Sequence, residues 1–197
     1  MRILVLGCGY VGLPLARKLA GLGHEVHASR RTGFSVEGIT THQTDVTLRS
    51  SFESLPRAFD WVLFTASSSR GDANVHRAVF VEGTRNLLDW LDNSPSRVLF
   101  TSSTSVYPQT NGTWVDEKSC EKPTSGTALN LALAEQQLLK SGRSCTLLRV
   151  AGIYGPERGH LYRQFLKDEA VISNSGKRWM NMIHREDVTG AILAAIE

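Results

Sequence analysis

A chain of 197 residues is long enough to bury a substantial apolar core, so nothing calls for a disulfide scaffold. The cysteines at 8, 120 and 145 are odd in number and lack metal-ligand spacing, which argues against both a bridge framework and a metal site and for a reducing compartment. The 22 Lys and Arg and 19 Asp and Glu give a net charge of +3 without any massed basic run, so nucleic acid is not an expected partner.

The opening stretch superficially resembles a secretory leader, because Arg2 precedes an apolar run. Glycines at 7, 9 and 12 interrupt that run, Arg17 and Lys18 follow within the same helical pattern, and no apolar stretch approaches the about 18 residues of a membrane span. The expectation is a soluble, cytoplasmic protein with no membrane partner. Ile3–Leu6 is a short continuous apolar run, as expected of a strand buried on both faces. Leu15, Leu19 and Leu22 then recur at helical spacing and predict one buried helix face. A second strand is expected at Glu25–Ser29, a more polar third at Ile39–Thr44 and a fourth at Trp61–Ala66.

Asn86–Leu91 carries apolar residues at helical spacing, and a turn at Asn93, Ser94 and Pro95 leads to a fifth strand at Val98–Phe100. A further helix is predicted at Leu129–Leu139, with Glu135 and Lys140 on its polar side, and a sixth strand at Cys145–Val150. Strands alternating with helices specify the α/β class, here a Rossmann-type doubly wound parallel sheet with helices on both faces, spanning residues 1–155. Beyond Gly155 the pattern loosens into a Gly, Pro and Arg segment, a helix at Leu161–Leu166 and a last helix from Glu186 onward. Residues 156–197 read as a partial substrate-binding lobe with a return helix. That helix reaches the end of the chain at Ile192–Ile196 without a stop signal, so a truncated chain is expected.

Gly7, Gly9 and Gly12 form a GxGxxG pattern directly after a strand and at the start of a helix, with Tyr10 and Val11 inside it. In a dinucleotide-binding turn the first glycine allows the tight bend, the second lets the backbone approach a diphosphate, and the third lets helix and strand pack closely. The helix N-terminus adds unpaired N–H groups and partial positive charge. The other reading is an ordinary glycine-rich turn. About 20 residues further on, where a carboxylate would hold the ribose 2′-hydroxyl of NAD, the chain reads Ser29, Arg30 and Arg31. Two guanidinium groups suit a 2′-phosphate, which favours NADP over NAD; the alternative is a solvated arginine loop.

Six stretches, GCGYVG from Gly7, TDV around Asp45, VEGTRNLL from Val81, FTSSTSVY from Phe100, LRVAGIYGP from Leu148 and IHREDV from Ile183, occur in the order found in one family. Through them the chain resembles the extended or atypical short-chain dehydrogenase/reductases, the NAD-dependent epimerase/dehydratase group. The resemblance implies that Asp45, followed by Val46, meets the adenine amino group, and that Thr65, Ala66, Ser67, Thr101 and Ser102 line the cofactor. It implies that Ser103, with Thr104 beside it, orients a substrate oxygen; the alternative is a Ser/Thr-rich strand end satisfying turn amides. Tyr154, Gly155 and Pro156 resemble the turn leading into substrate-binding segments. The group also implies a homodimer formed through the helices after the fourth and fifth strands.

The chain departs from the family at its acid/base pair. Members carry YxxxK, in which lysine and the oxidised nicotinamide stabilise tyrosinate; alignment on Glu135 places Thr127 at the tyrosine position and Leu131 at the lysine position. Threonine hydrogen-bonds but supplies no base near neutrality, and leucine lowers no pKa. Leu6 and Phe80 are smaller departures. Tyr107 is the nearby residue able to act as a substitute acid, or else an aromatic packing the base of the crevice. His184 could serve as a base, or as a structural residue before a helix. The leading expectation is an NADP-dependent oxidoreductase or epimerase-like enzyme acting on a small hydroxyl, carbonyl or nucleotide-sugar substrate. The rival is a binding module that senses the cofactor without turnover.

Overall fold

The computed structural model describes residues 1–68, 71–119, 123, 126–171, 176–177 and 179–197. Strand β1 (Arg2–Leu6) leads through helix α1 (Gly12–Gly21) to β2 (Glu25–Arg30) and β3 (Thr40–Gln43). After a 3-10 turn at Arg49–Ser54 comes β4 (Trp61–Phe64). A continuous helical run follows, made of α2 (Ala73–Arg77), a π-turn (Ala78–Glu82) and α3 (Gly83–Leu91). Next are β5 (Arg97–Ser103), α4 (Gly126–Lys140), β6 (Cys145–Val150), β7 (Gly152–Tyr154), α5 (His160–Leu166), β8 (Met182–His184) and α6 (Arg185–Ile196).

Six strands form one parallel sheet in the order β3-β2-β1-β4-β5-β6, and the direction of winding reverses between β1 and β4. Period-two alternation splits the central strands between two cores. Leu4, Leu6, Val62, Phe64, Val98 and Phe100 face α3 and α4, where they meet Leu87, Trp90, Leu131 and Leu138. Ile3, Val5, Leu63 and Leu99 face the other way, onto Leu15 and Leu19 of α1 and Ile192 and Ile196 of α6. The last helix therefore lies beside α1 on the second face of the sheet. β7 and β8 pair in parallel as a separate small ribbon. Among the described residues no helix is long and apolar enough to cross a membrane.

The sheet and its covering helices agree with the sequence expectation, with four local corrections. Leu22 does not belong to the buried face of α1: it follows the helix end, is 60% exposed, and precedes Gly23, which turns the chain at φ +83°. β4 stops at Phe64 rather than Ala66: the Thr65 amide still donates to the Leu6 carbonyl at 2.9 Å, but the Thr65 hydroxyl and the Ala66 backbone turn against Gly7. The helix expected at Asn86–Leu91 begins far earlier, at Ala73, where Asp72 caps it by accepting from the N–H groups of Asn74 and Val75. Glu135 is not on a polar face: it is 3% exposed and ion-paired with Arg149 of β6 at 2.8 Å.

Candidate dinucleotide site

Gly7 leaves β1 at φ +106°, and a Cβ there would run into the backbone of Ala66. A Cβ on Gly12 would overlap the Gly7 carbonyl oxygen and lie 2.8 Å from the Thr65 hydroxyl. These two glycines are fixed by close approach of β1, α1 and the end of β4. Gly9 differs, since a Cβ there meets nothing nearer than 4.0 Å. Its missing side chain leaves open space.

The amide hydrogens of this turn divide into used and unused. Gly7 and Cys8 donate to the Ser29 carbonyl at 3.0 and 2.7 Å, and Gly9 donates to the Gly7 carbonyl at 2.8 Å. Leu13 donates to Gly9 and Leu15 to Val11, while Pro14 has no N–H to offer. Among the described residues no backbone carbonyl takes the amides of Tyr10, Val11 or Gly12, and no side chain caps α1. An uncapped helix N-terminus of this kind suits an anion. Thr65 holds the turn in place by donating its hydroxyl to the Gly7 carbonyl at 2.9 Å.

The turn opens into a cleft of about 1020 Å³ at the carboxyl ends of β1 and β4, the switch point where open α/β sheets bind ligands. Gly7, Gly9, Tyr10, Val11, Arg30 and Arg31 line it at one end, and Asp45 and Val46 lie beside them. Thr65, Ala66, Ser67, Thr101 and Ser102 also line it. Ser29 and Gly12 are not on its wall. Ser29 is buried beneath, where its carbonyl anchors the turn, and Gly12 acts through packing.

Arg30 is held before any ligand arrives. Its guanidinium stacks over Phe34 at 4.4 Å, with Nε donating to the Thr32 carbonyl at 3.1 Å and Nη2 to the Gly33 carbonyl at 3.2 Å. Asp45 accepts on Oδ1 from the amide and hydroxyl of Thr47 at 2.9 and 2.8 Å. The carbonyl of Val46 accepts from the side-chain amide of Asn86 at 3.0 Å. Thr44 and Ser102, which line the cleft, are 2% and 5% exposed, and among the described residues their buried hydroxyls have no partner. Cys8 lines the same cleft, and burial pushes its thiol up to about 11, so it stays protonated at neutral pH.

Ser103, Thr104, Tyr107 and Thr127 do not line this cleft. The Ser103 hydroxyl accepts from the Ser105 amide at 3.1 Å, opening a 3-10 turn at Thr104–Val106. Thr104 accepts from the Asn181 side-chain amide at 2.7 Å. Tyr107 rests against the core and accepts from Nη1 of Arg149 at 3.0 Å; hydrogen bonds to Glu135, then to Tyr107, hold that guanidinium charged above its ordinary range despite burial. Thr127 is exposed on the first turn of α4, and Leu131, one turn on, is buried in the core. His184 caps α6, accepting on Nδ1 from the Glu186 amide at 3.3 Å, with its ring edge against Tyr154.

Sequence reasoning missed a set of cleft residues from the segment after β6, namely Glu157, Arg158, Gly159, His160 and Arg163. The signal was the density of arginine in a Gly- and Pro-rich stretch, but nothing in that spacing says the stretch folds back over the glycine turn.

The NAD dependent epimerase/dehydratase family matches residues 3–197. The chain belongs to this family. A protein of known structure from Methylobacillus flagellatus, described as an NAD-dependent epimerase/dehydratase, is 32% identical with a TM-score of 0.78, over 99% of this chain and 69% of that one. A UDP-galactose 4-epimerase is 25% identical with a TM-score of 0.80, over 99% of this chain and 71% of its own. Protein YeeZ of Escherichia coli K12 is 29% identical over 208 residues, 100% of this chain and 73% of its length. The six motifs thus pointed to the right family, and the match extends between them.

Proposed function

We propose that this member of the epimerase/dehydratase family binds an adenine dinucleotide, with NADP preferred, and acts on a small hydroxyl, carbonyl or nucleotide-sugar substrate. The observation that carries the proposal is the uncapped N-terminus of α1 beside the open space at Gly9, facing a cleft at the sheet's switch point. The amides of Tyr10 and Val11 would take the diphosphate. Asp45 would meet the adenine, and Arg30 and Arg31 the ribose end. Phe34 and two loop carbonyls hold Arg30 in one geometry, which lowers the entropy cost of gripping a 2′-phosphate.

When bound, the cofactor supplies or accepts hydride. The chain's own part is orientation and proton handling: Ser103 and Thr104 would hold the substrate oxygen, and Tyr107 would supply a proton in place of the missing tyrosine of α4. A second reading, a cofactor sensor without turnover, is favoured by one observation. The exposed Thr127 and buried Leu131 stand at the two positions of α4 where a tyrosine and a lysine would pass a proton.

Calorimetric titration with NADPH and NADH, comparing wild type with Arg30→Ala, tests the cofactor assignment. Wild type is expected to prefer NADPH by about tenfold, one charge-assisted bond to the 2′-phosphate, and the variant to lose the preference while still binding NADH. Equal wild-type affinities overturn the NADP assignment. Substrate-dependent NADPH consumption across sugars and carbonyl compounds, reduced in Ser103→Ala, separates enzyme from sensor.

A further inference from the structure

The segment after β6 crosses the glycine turn and is fastened to it through one side chain. Gly155 and Arg158 exchange backbone hydrogen bonds at 2.8 and 3.0 Å, closing a tight loop. The Tyr10 hydroxyl, which belongs to the turn, donates to the Pro156 carbonyl at 3.0 Å. Gly155, at φ +147°, passes so close that a Cβ there would lie 3.0 Å from both the Tyr10 hydroxyl and Nε2 of His184. Glycine is what allows that crossing. The Arg158 guanidinium then sits 5.2 Å from the centroid of the Tyr10 ring, within cation–π range, and on the wall of the cleft.

A second guanidinium, that of Arg185, lies 5.0 Å from the same ring, but it is committed to Glu186 at 3.1 Å. Among the described residues no carboxylate pairs with Arg158. Tyr10 and Val11 with their unused amides, Thr44 and Ser102 with their buried, unpartnered hydroxyls, and Arg158 all line one cleft. A helix N-terminus offers about half an elementary charge, too little to neutralise a diphosphate, and a cation across from it supplies what the turn lacks.

We propose that Arg158, seated on the Tyr10 ring, is the cationic half of a diphosphate site whose other half is the N-terminus of α1. The inference rests on the dinucleotide reading above and adds to it a residue from outside the glycine turn. Tyr10 acts as a positioning residue: its ring places the guanidinium, and its hydroxyl pins the loop that carries it.

The test is titration of wild type, Arg158→Gln and Arg158→Lys with NADH, NADPH, ADP-ribose and adenosine, with melting temperatures of the unliganded proteins as a folding control. Arg158→Gln is expected to weaken NADH, NADPH and ADP-ribose alike by about tenfold, the worth of one charge-assisted contact, and to leave adenosine unchanged because it has no phosphate. Arg158→Lys retains part of the affinity, and Tyr10→Phe, which keeps the ring, loses less than Tyr10→Leu. If Arg158→Gln binds ADP-ribose as wild type does, this inference fails and the dinucleotide reading stands. If adenosine weakens as much as ADP-ribose, the residue serves the nucleoside end and the diphosphate assignment fails. If wild type binds none of the dinucleotides, both fall.

Discussion

At Gly12 the constraint is steric, because an added methyl group would meet backbone oxygen and the Thr65 hydroxyl rather than a movable side-chain tip. Gly12→Ala is expected to cost about 2 kcal/mol, the order of an overpacked core substitution, seen as a lower urea midpoint with an unchanged slope. His42 shows a different residue-scale effect. Burial, then the neighbouring His27 and Arg2, hold its pKa below the ordinary value, and His27 Nδ1 lies 2.9 Å from His42 Nε2. The folded state therefore binds the proton less tightly than the unfolded chain, whose histidine titrates near about 6.5. Stability is whole above that pH and falls as pH drops below it. Urea unfolding at pH 7.5 and 5.5 should show this loss, smaller in His42→Asn; an equal loss in the variant contradicts the assignment. His76, depressed by burial, moves in the same direction and accounts for part of the remainder.

Between elements, α4 is tied to β6 by the Glu135–Arg149 pair, whose carboxylate is buried under the helix. Removing one partner leaves the other charge buried without compensation, so Glu135→Leu is expected to destabilise by about 3 kcal/mol. Glu135→Leu with Arg149→Met should recover much of that loss in the same urea measurement. Full additivity of the two single variants would contradict the pairing. The same pair shows why the sequence misled at this position: helical spacing placed Glu135 opposite an apolar face, but its partner comes from a strand that spacing along the helix cannot see. The part of the helical run from Ala73 to Arg85 was missed for another reason. Its cap at Asp72 is ordinary, but Val79, Phe80 and Val81 are three consecutive apolar residues, and the π-turn they occupy shifts the helical register.

At the scale of the molecule, the parallel sheet was legible because strands buried on both faces must be continuously apolar, as Ile3–Leu6 and Trp61–Phe64 are. The glycine turn was legible because its requirements are local: one positive φ, one close approach and one open position. The arginines after β6 were not, because their place over the turn depends on Tyr10 and Gly155 meeting across 145 positions of chain, which no periodicity records. The winding of the sheet brings these pieces together, reversing between β1 and β4 so that their carboxyl ends open the cleft.

In the proposed complex the unused amides of Tyr10 and Val11 receive a dinucleotide diphosphate. Backbone amide NMR of the isotopically labelled protein during NADPH addition tests it directly. These two resonances are expected to move saturably and downfield, as amides do on gaining an anionic acceptor. Saturable binding that leaves them in place would contradict it, as would the absence of any binding.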